Sequence, residues 1–176
     1  MHSKSVRAIF HAIALILPIL FSVDPAAAQK TATIGSAPSA GPFTQLAGSW
    51  SGSGTIDLSD GRHEPIKCNA SYDILENQNK LQLRIRCASD SYNFNLISSA
   101  TYAAGAIKGN WTESTRNAAG SLSGNVEGGG FSVVANGPSF TANLNLVTDG
   151  DKQSVTIKSR DANTAVRGAT ISMQRG

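Results

Sequence analysis

The chain has 176 residues, 40% of them apolar, and a formal net charge of +3. That length fits one domain. The basic residues are few and scattered, which excludes nucleic acid and anionic membrane surfaces as partners recognised by charge.

In chain order, the first feature is an export signal over residues 1–28. His2, Lys4 and Arg7 form a basic start, Ala8 to Val23 is mostly apolar, and Ala26-Ala27-Ala28 offers an A-x-A cleavage site. The apolar run is shorter than the roughly 20 residues of a spanning helix, so the expectation is cleavage after about Ala28, no stable membrane insertion, and a periplasmic or secreted product. Removal of Lys4, Arg7 and Asp24 leaves a net charge of +2. Residues 29–42 carry little to bury and read as a flexible linker. Residues 43–176 are the expected folded domain.

Phe43, Leu46 and Trp50 stand at helical spacing, which predicts one turn leading into a strand. In that strand Trp50, Gly52, Gly54, Ile56 and Leu58 share one face and serines, threonine and aspartate the other. Asp60-Gly61 marks a turn. The stretch from Ile66 to Ser89 then folds about Asn77 and Gln78. In one register Ile74 faces Leu81, Tyr72 faces Leu83, Ala70 faces Ile85 and Cys68 faces Cys87. A slip of one residue would break the apolar face and the cysteine pair together. In an exported chain this predicts a Cys68–Cys87 disulfide. Neither cysteine has the spacing or neighbours of a metal or redox pair.

Alternation continues through Tyr92, Phe94 and Leu96, through Ile107, Gly109 and Trp111, and through Leu122, Gly124 and Val126. Gly128 to Gly130 makes a turn. Asn136-Gly137 predicts a hairpin that pairs Val133 with Phe140 and Phe131 with Ala142. Asp149-Gly150 predicts another, pairing Leu144 with Val155 and Ala142 with Ile157. Ile171 and Met173 lie on the last strand. About ten short strands, each apolar on one face, and no long amphipathic helix predict an all-β fold. The expected architecture is a single antiparallel up-and-down barrel of about 8–10 strands, with a β-sandwich as the alternative. An outer-membrane barrel is disfavoured, because the aromatic share is 6% and the polar faces carry Arg84, Arg86, Lys152 and Lys158.

The Gly48-x-Trp50 opening, preceded by Phe43 and Leu46, resembles the first strand of lipocalin-like barrels, the calycins. That resemblance implies a tryptophan closing one barrel end, with Arg175 from the last strand as the basic residue packed over it. The chain departs from lipocalins in strand number and in having Thr148-Asp149-Gly150 where a Thr-Asp-Tyr run would stand. Gly109 to Gly124, with Trp111-Thr112-Glu113, also resembles small exported bacterial β-proteins of uncharacterised role.

Candidate chemistry is sparse. His63 lies in turn sequence with no converging ligands, and Asp149-x-Asp151 lacks the further oxygens of a calcium loop. The inward faces show almost no ionisable groups, so no cofactor, metal or catalytic residue is expected. The functional expectation is a non-enzymatic barrel for a small apolar ligand faced by Trp50, Tyr72, Phe94, Trp111, Phe131 and Phe140. The alternative is a periplasmic protein-interaction module, such as an inhibitor or envelope-associated protein; a hydrolase ranks last. Inward Gly52, Gly54, Gly109 and Gly124 either let strands curl sharply or leave room for a ligand.

Overall fold

The computed structural model describes residues 40–176. The expected signal peptide, residues 1–28, and residues 29–39 of the expected linker lie outside the described residues. A 3-10 turn over Thr44–Leu46 leads into ten strands. They are β1 (Gly48–Leu58), β2 (His63–Leu75), β3 (Lys80–Ala88), β4 (Asn93–Ala103), β5 (Ala106–Glu113), β6 (Ala118–Glu127), β7 (Gly130–Asn136), β8 (Thr141–Asp149), β9 (Lys152–Ser159) and β10 (Val166–Arg175). Each strand pairs antiparallel with its sequence neighbours, and β1 pairs with β10 to close the barrel. The sheet therefore has no free edge, which is why the closed form wins over a sandwich.

Period-two patterning turns the apolar set inward. On β2, Glu64, Ile66, Cys68, Ala70 and Tyr72 are buried, while Pro65, Lys67 and Asn69 between them are exposed. The β2–β3 register is the one the sequence predicts, with Cys68 opposite Cys87 and the disulfide formed at a Cα separation of 4.1 Å.

Two predicted registers are corrected. Across β7 and β8, Ala135 pairs with Ala142, Val133 with Leu144 and Phe131 with Leu146. Asn136 is the last residue of β7, and the connection is a four-residue loop closed by Gly137 N donating to Phe140 O at 2.8 Å. The tight Asn-Gly turn is not made, and Phe140 sits in a loop. Across β8 and β9, Leu146 pairs with Val155 and Leu144 with Ile157. Here Gly150, at φ +55°, and Asp151 form the turn instead of Asp149-Gly150. Both slips are by an even number of residues, so the inward set is unchanged.

The glycines on β1 answer a steric need. A β-carbon on Gly54 would collide with the Thr170 carbonyl and stand 2.7 Å from Ile171 Cα. On Gly52 it would collide with the Ser172 carbonyl and stand 2.6 Å from Met173 Cα. Close approach of β10 to β1 requires glycine there, so these residues serve strand curvature.

The barrel has two distinct ends. The end carrying the 3-10 turn, here called the floor, holds the start of β1 and the β2–β3, β4–β5, β6–β7 and β8–β9 turns. The opposite end, the rim, carries the longer connections, among them residues 89–92, 114–117 and 137–140. Gly41 also belongs to the floor, since its N–H donates to Gln78 Oε1 at 3.0 Å.

Candidate functional site in the barrel lumen

The floor is a packed plug. Phe43, Leu46 and Trp50 are almost fully buried. Trp50 Nε1 donates to Leu46 O at 2.8 Å, and Phe43 stacks on Phe131 with ring centroids 5.6 Å apart. Arg175 lies over Trp50, its guanidinium carbon 4.3 Å from the ring centroid. It donates to Ala47 O and, at 2.7 Å, to Gln45 O, and pairs with Asp151 at 3.0 Å. Above this plug, Tyr72 Oη donates to Gln153 Oε1 at 2.9 Å, a bond that braces β2 against β9 across the floor. Burial holds the Tyr72 phenol well above its usual range, and the Gln153 bond only partly offsets this.

The rim is built from different aromatics. Trp111 packs on Phe140 at 5.3 Å, tilted by 46°. Tyr92 stacks on Phe94 at 6.3 Å, and the Arg116 guanidinium sits 4.8 Å from the Phe94 centroid. The six candidate ligand-facing aromatics thus divide between the ends: Trp50, Tyr72 and Phe131 at the floor, Phe94, Trp111 and Phe140 at the rim. The chain's two tryptophans, Trp50 and Trp111, fall at opposite ends.

Between the ends the inward positions carry mainly aliphatic side chains and glycine, with the buried Ser98 at the middle of β4. Leu83, Ile85, Val133, Leu144 and Val155 point inward at mid-strand yet retain accessible surface. Leu83, Ile85, Val133 and Val155 pack against the buried core, whereas Phe43, Leu46 and Trp50 of the floor are themselves almost fully buried.

Two buried carboxylates stand on inward faces expected to carry almost no ionisable groups. Glu64 and Glu113 lie on the inward faces of β2 and β5 near the rim, 7% and 6% exposed. Glu64 accepts from Ser91 Oγ at 2.7 Å, Ser89 Oγ at 3.0 Å, Ser91 N at 3.1 Å and Arg62 at 3.3 Å. The Ser91 hydroxyl is the main cause of its lowered pKa. Burial pushes the Glu113 carboxyl up, but bonds from Thr115 Oγ1 and from the N–H groups of Asn95, Thr115 and Arg116 pull it down further, to about 2. Each carboxylate ties rim loops to a strand. Extending the alternation one step past Ile66 and Trp111 would have found both.

His63 is exposed, as the sequence suggests, but begins β2 instead of lying in the loop; its Nδ1 is 2.7 Å from Asp57 Oδ1. No group of three or more His, Cys, Asp or Glu side chains suited to a metal occurs among the described residues. No helix among them is long and apolar enough to cross a membrane. One concavity of about 430 Å³ lies on the outer wall, where Ser51, Ser53, Ser154, Ser172, Gln174 and Val147 line it together with others.

No family model and no curated protein matches the chain. Solved structures do resemble it. An S-type phycobiliprotein lyase, CPES, from Guillardia theta matches at 10% identity with a TM-score of 0.57, covering 76% of this chain and 90% of that one. The Rv2717c protein of M. tuberculosis matches at 12% identity with a TM-score of 0.61, covering 76% of this chain and 94% of that one. At such identities the likeness is one of fold. The first of these names corrects the expectation of a non-enzymatic protein: a barrel of this build is called a lyase, so few ionisable groups on the inward faces are no ground for excluding catalysis. What the comparison shows is the barrel fold alone.

Proposed function

We propose that the chain is an exported barrel that holds a small apolar ligand in its lumen. The observation that carries this reading is the surface left on half-buried aliphatic side chains of the inward faces, between aromatic groups at floor and rim. An apolar ligand would cover that surface and gain about 25 cal/mol per Å² removed from water. Export rests on the signal-like residues 1–28, and the Cys68–Cys87 disulfide agrees with an oxidising compartment, periplasmic or extracellular. In this reading residues 29–42 tether a domain that begins near Phe43, and Arg175 caps the floor.

Native mass spectrometry of the protein isolated from the cells that make it tests the proposal. The expected result is a complex heavier than the chain by a lipid-sized apolar molecule, released on unfolding. A clean apo mass, with no uptake of apolar compounds by the purified protein, would end the ligand reading. The outer-wall concavity of about 430 Å³ would then support the interaction-module reading.

A further inference from the structure

Trp111 lies on the inward face of β5 near the rim and is 3% exposed. Its indole Nε1 has no hydrogen-bond partner, and it is the only such buried side-chain nitrogen or oxygen found among the described residues. A buried donor left unpaired is destabilising, and its retention calls for a physical reason.

The surroundings are shaped to the indole. A β-carbon on Gly120 would stand 2.7 Å from Trp111 Cζ2, and one on Gly137 2.9 Å from the same atom. Glycine at these two positions therefore lets the backbone pack directly against the edge of the ring next to Nε1. What lies over the ring is Phe140, a half-buried side chain on the loop of residues 137–140, whose Pro138 and Ser139 are exposed. The cover over the indole is thus the side chain of a loop residue, outside the strand pairing, in a loop closed by Gly137 N donating to Phe140 O at 2.8 Å.

We propose that Trp111 Nε1 is the donor that selects, within the lumen reading given above, an apolar ligand bearing a neutral acceptor such as a carbonyl or ether oxygen. Phe140 turns aside to admit that group at the rim. A neutral acceptor is specified because Glu113, two residues along the same inward face, carries a carboxylate held by backbone N–H groups and would repel an anionic end. An apolar pocket with one fixed donor orients its ligand by that donor.

The chain has two tryptophans, so a nitrogen–proton correlation spectrum of the full-length protein holds two indole signals. Acetophenone and ethylbenzene serve as probes of nearly equal shape, of which only the first carries an acceptor. Acetophenone is expected to shift the Trp111 signal saturably, and Trp111→Phe to weaken its binding about tenfold. Ethylbenzene is expected to bind wild type and variant alike. An unchanged Trp50 signal reports that the variant folds. Phe140→Ala, which keeps the indole, is expected to bind acetophenone several-fold tighter. Equal binding of both probes to wild type and Trp111→Phe would overturn the role of Trp111 while leaving the lumen reading intact. Weaker acetophenone binding by Phe140→Ala would overturn the role of Phe140 as a cover. Failure of both probes to bind wild type would overturn the lumen reading and this inference with it.

Discussion

Arg175 does two things with one side chain: it covers the Trp50 ring and ties the carbonyls of Gln45 and Ala47 to the end of β10. Replacing it with alanine removes a cation–π contact and leaves two carbonyls short of a donor. Arg175→Ala is expected to lose about 2–3 kcal/mol, read from the urea midpoint. Arg175→Lys should recover only part of this, because an ammonium lacks the planar fork; a loss below about 0.5 kcal/mol in the alanine variant would contradict the account. Glu113 makes a second prediction. Its folded pKa, about 2, lies below the ordinary 4.5, so the folded state binds its proton less readily than the unfolded chain does. The stability it contributes is complete above the ordinary value and is lost as the pH falls through the folded one. Glu113→Gln is expected to be less stable than wild type at neutral pH, with the gap closing as the pH approaches 2. Parallel stability curves would show that the rim bonds do not depend on the charge. The packing of Arg175 over Trp50 was an expectation of the sequence, whereas the role of Glu113 was not plain in it: Glu113 ends its strand, where alternation has no following residue to confirm the face.

At the scale of elements, the β2–β3 hairpin was readable because two unrelated patterns demanded the same register. Its disulfide spans a sequence separation of 19, worth about 3 kcal/mol in the chain-entropy model. The β7–β8 and β8–β9 hairpins had only turn residues to set their register, and both slipped. Asn136-Gly137 was overruled because Asn136 continues the ladder opposite Thr141 and the chain turns later, through Pro138. Turn chemistry fixes where a chain can reverse, while strand pairing decides where it does. The glycines on β1 carry the prediction at this scale. Gly54→Ala places a methyl group against the Thr170 carbonyl, and is expected to cost about 3 kcal/mol in thermal or urea unfolding. Ser53→Ala, one residue away and facing outward, should stay within about 0.5 kcal/mol of wild type. Equal effects of the two would mean that β10 can retreat from β1 without loss.

For the molecule as a whole, barrel closure was legible because every inward set in chain order had an apolar neighbour set to pair with. The spacing across the lumen was not. Alternation states which side chains face one another but not how far apart they stand, and inward glycines read equally well as a device for curvature or as room for a ligand. The strand-to-strand approach at Gly52, Gly54, Gly109 and Gly124 decides for curvature at all four places. The same topology governs assembly. Nine of the ten pairings join strands adjacent in sequence, and β1 with β10 is the one exception. Hairpins can therefore form early at small loop-closure cost, whereas the seam must bring together segments more than a hundred residues apart. Until β10 docks, β1 and β9 both present unpaired backbone, so any chain that stalls before Val166 is an open sheet with two edges able to recruit another copy. The seam thereby sets the aggregation hazard of the protein during folding, and it is guarded by the residues packed tightest across it, Gly52 and Gly54 in its middle and Arg175 on Trp50 at its end.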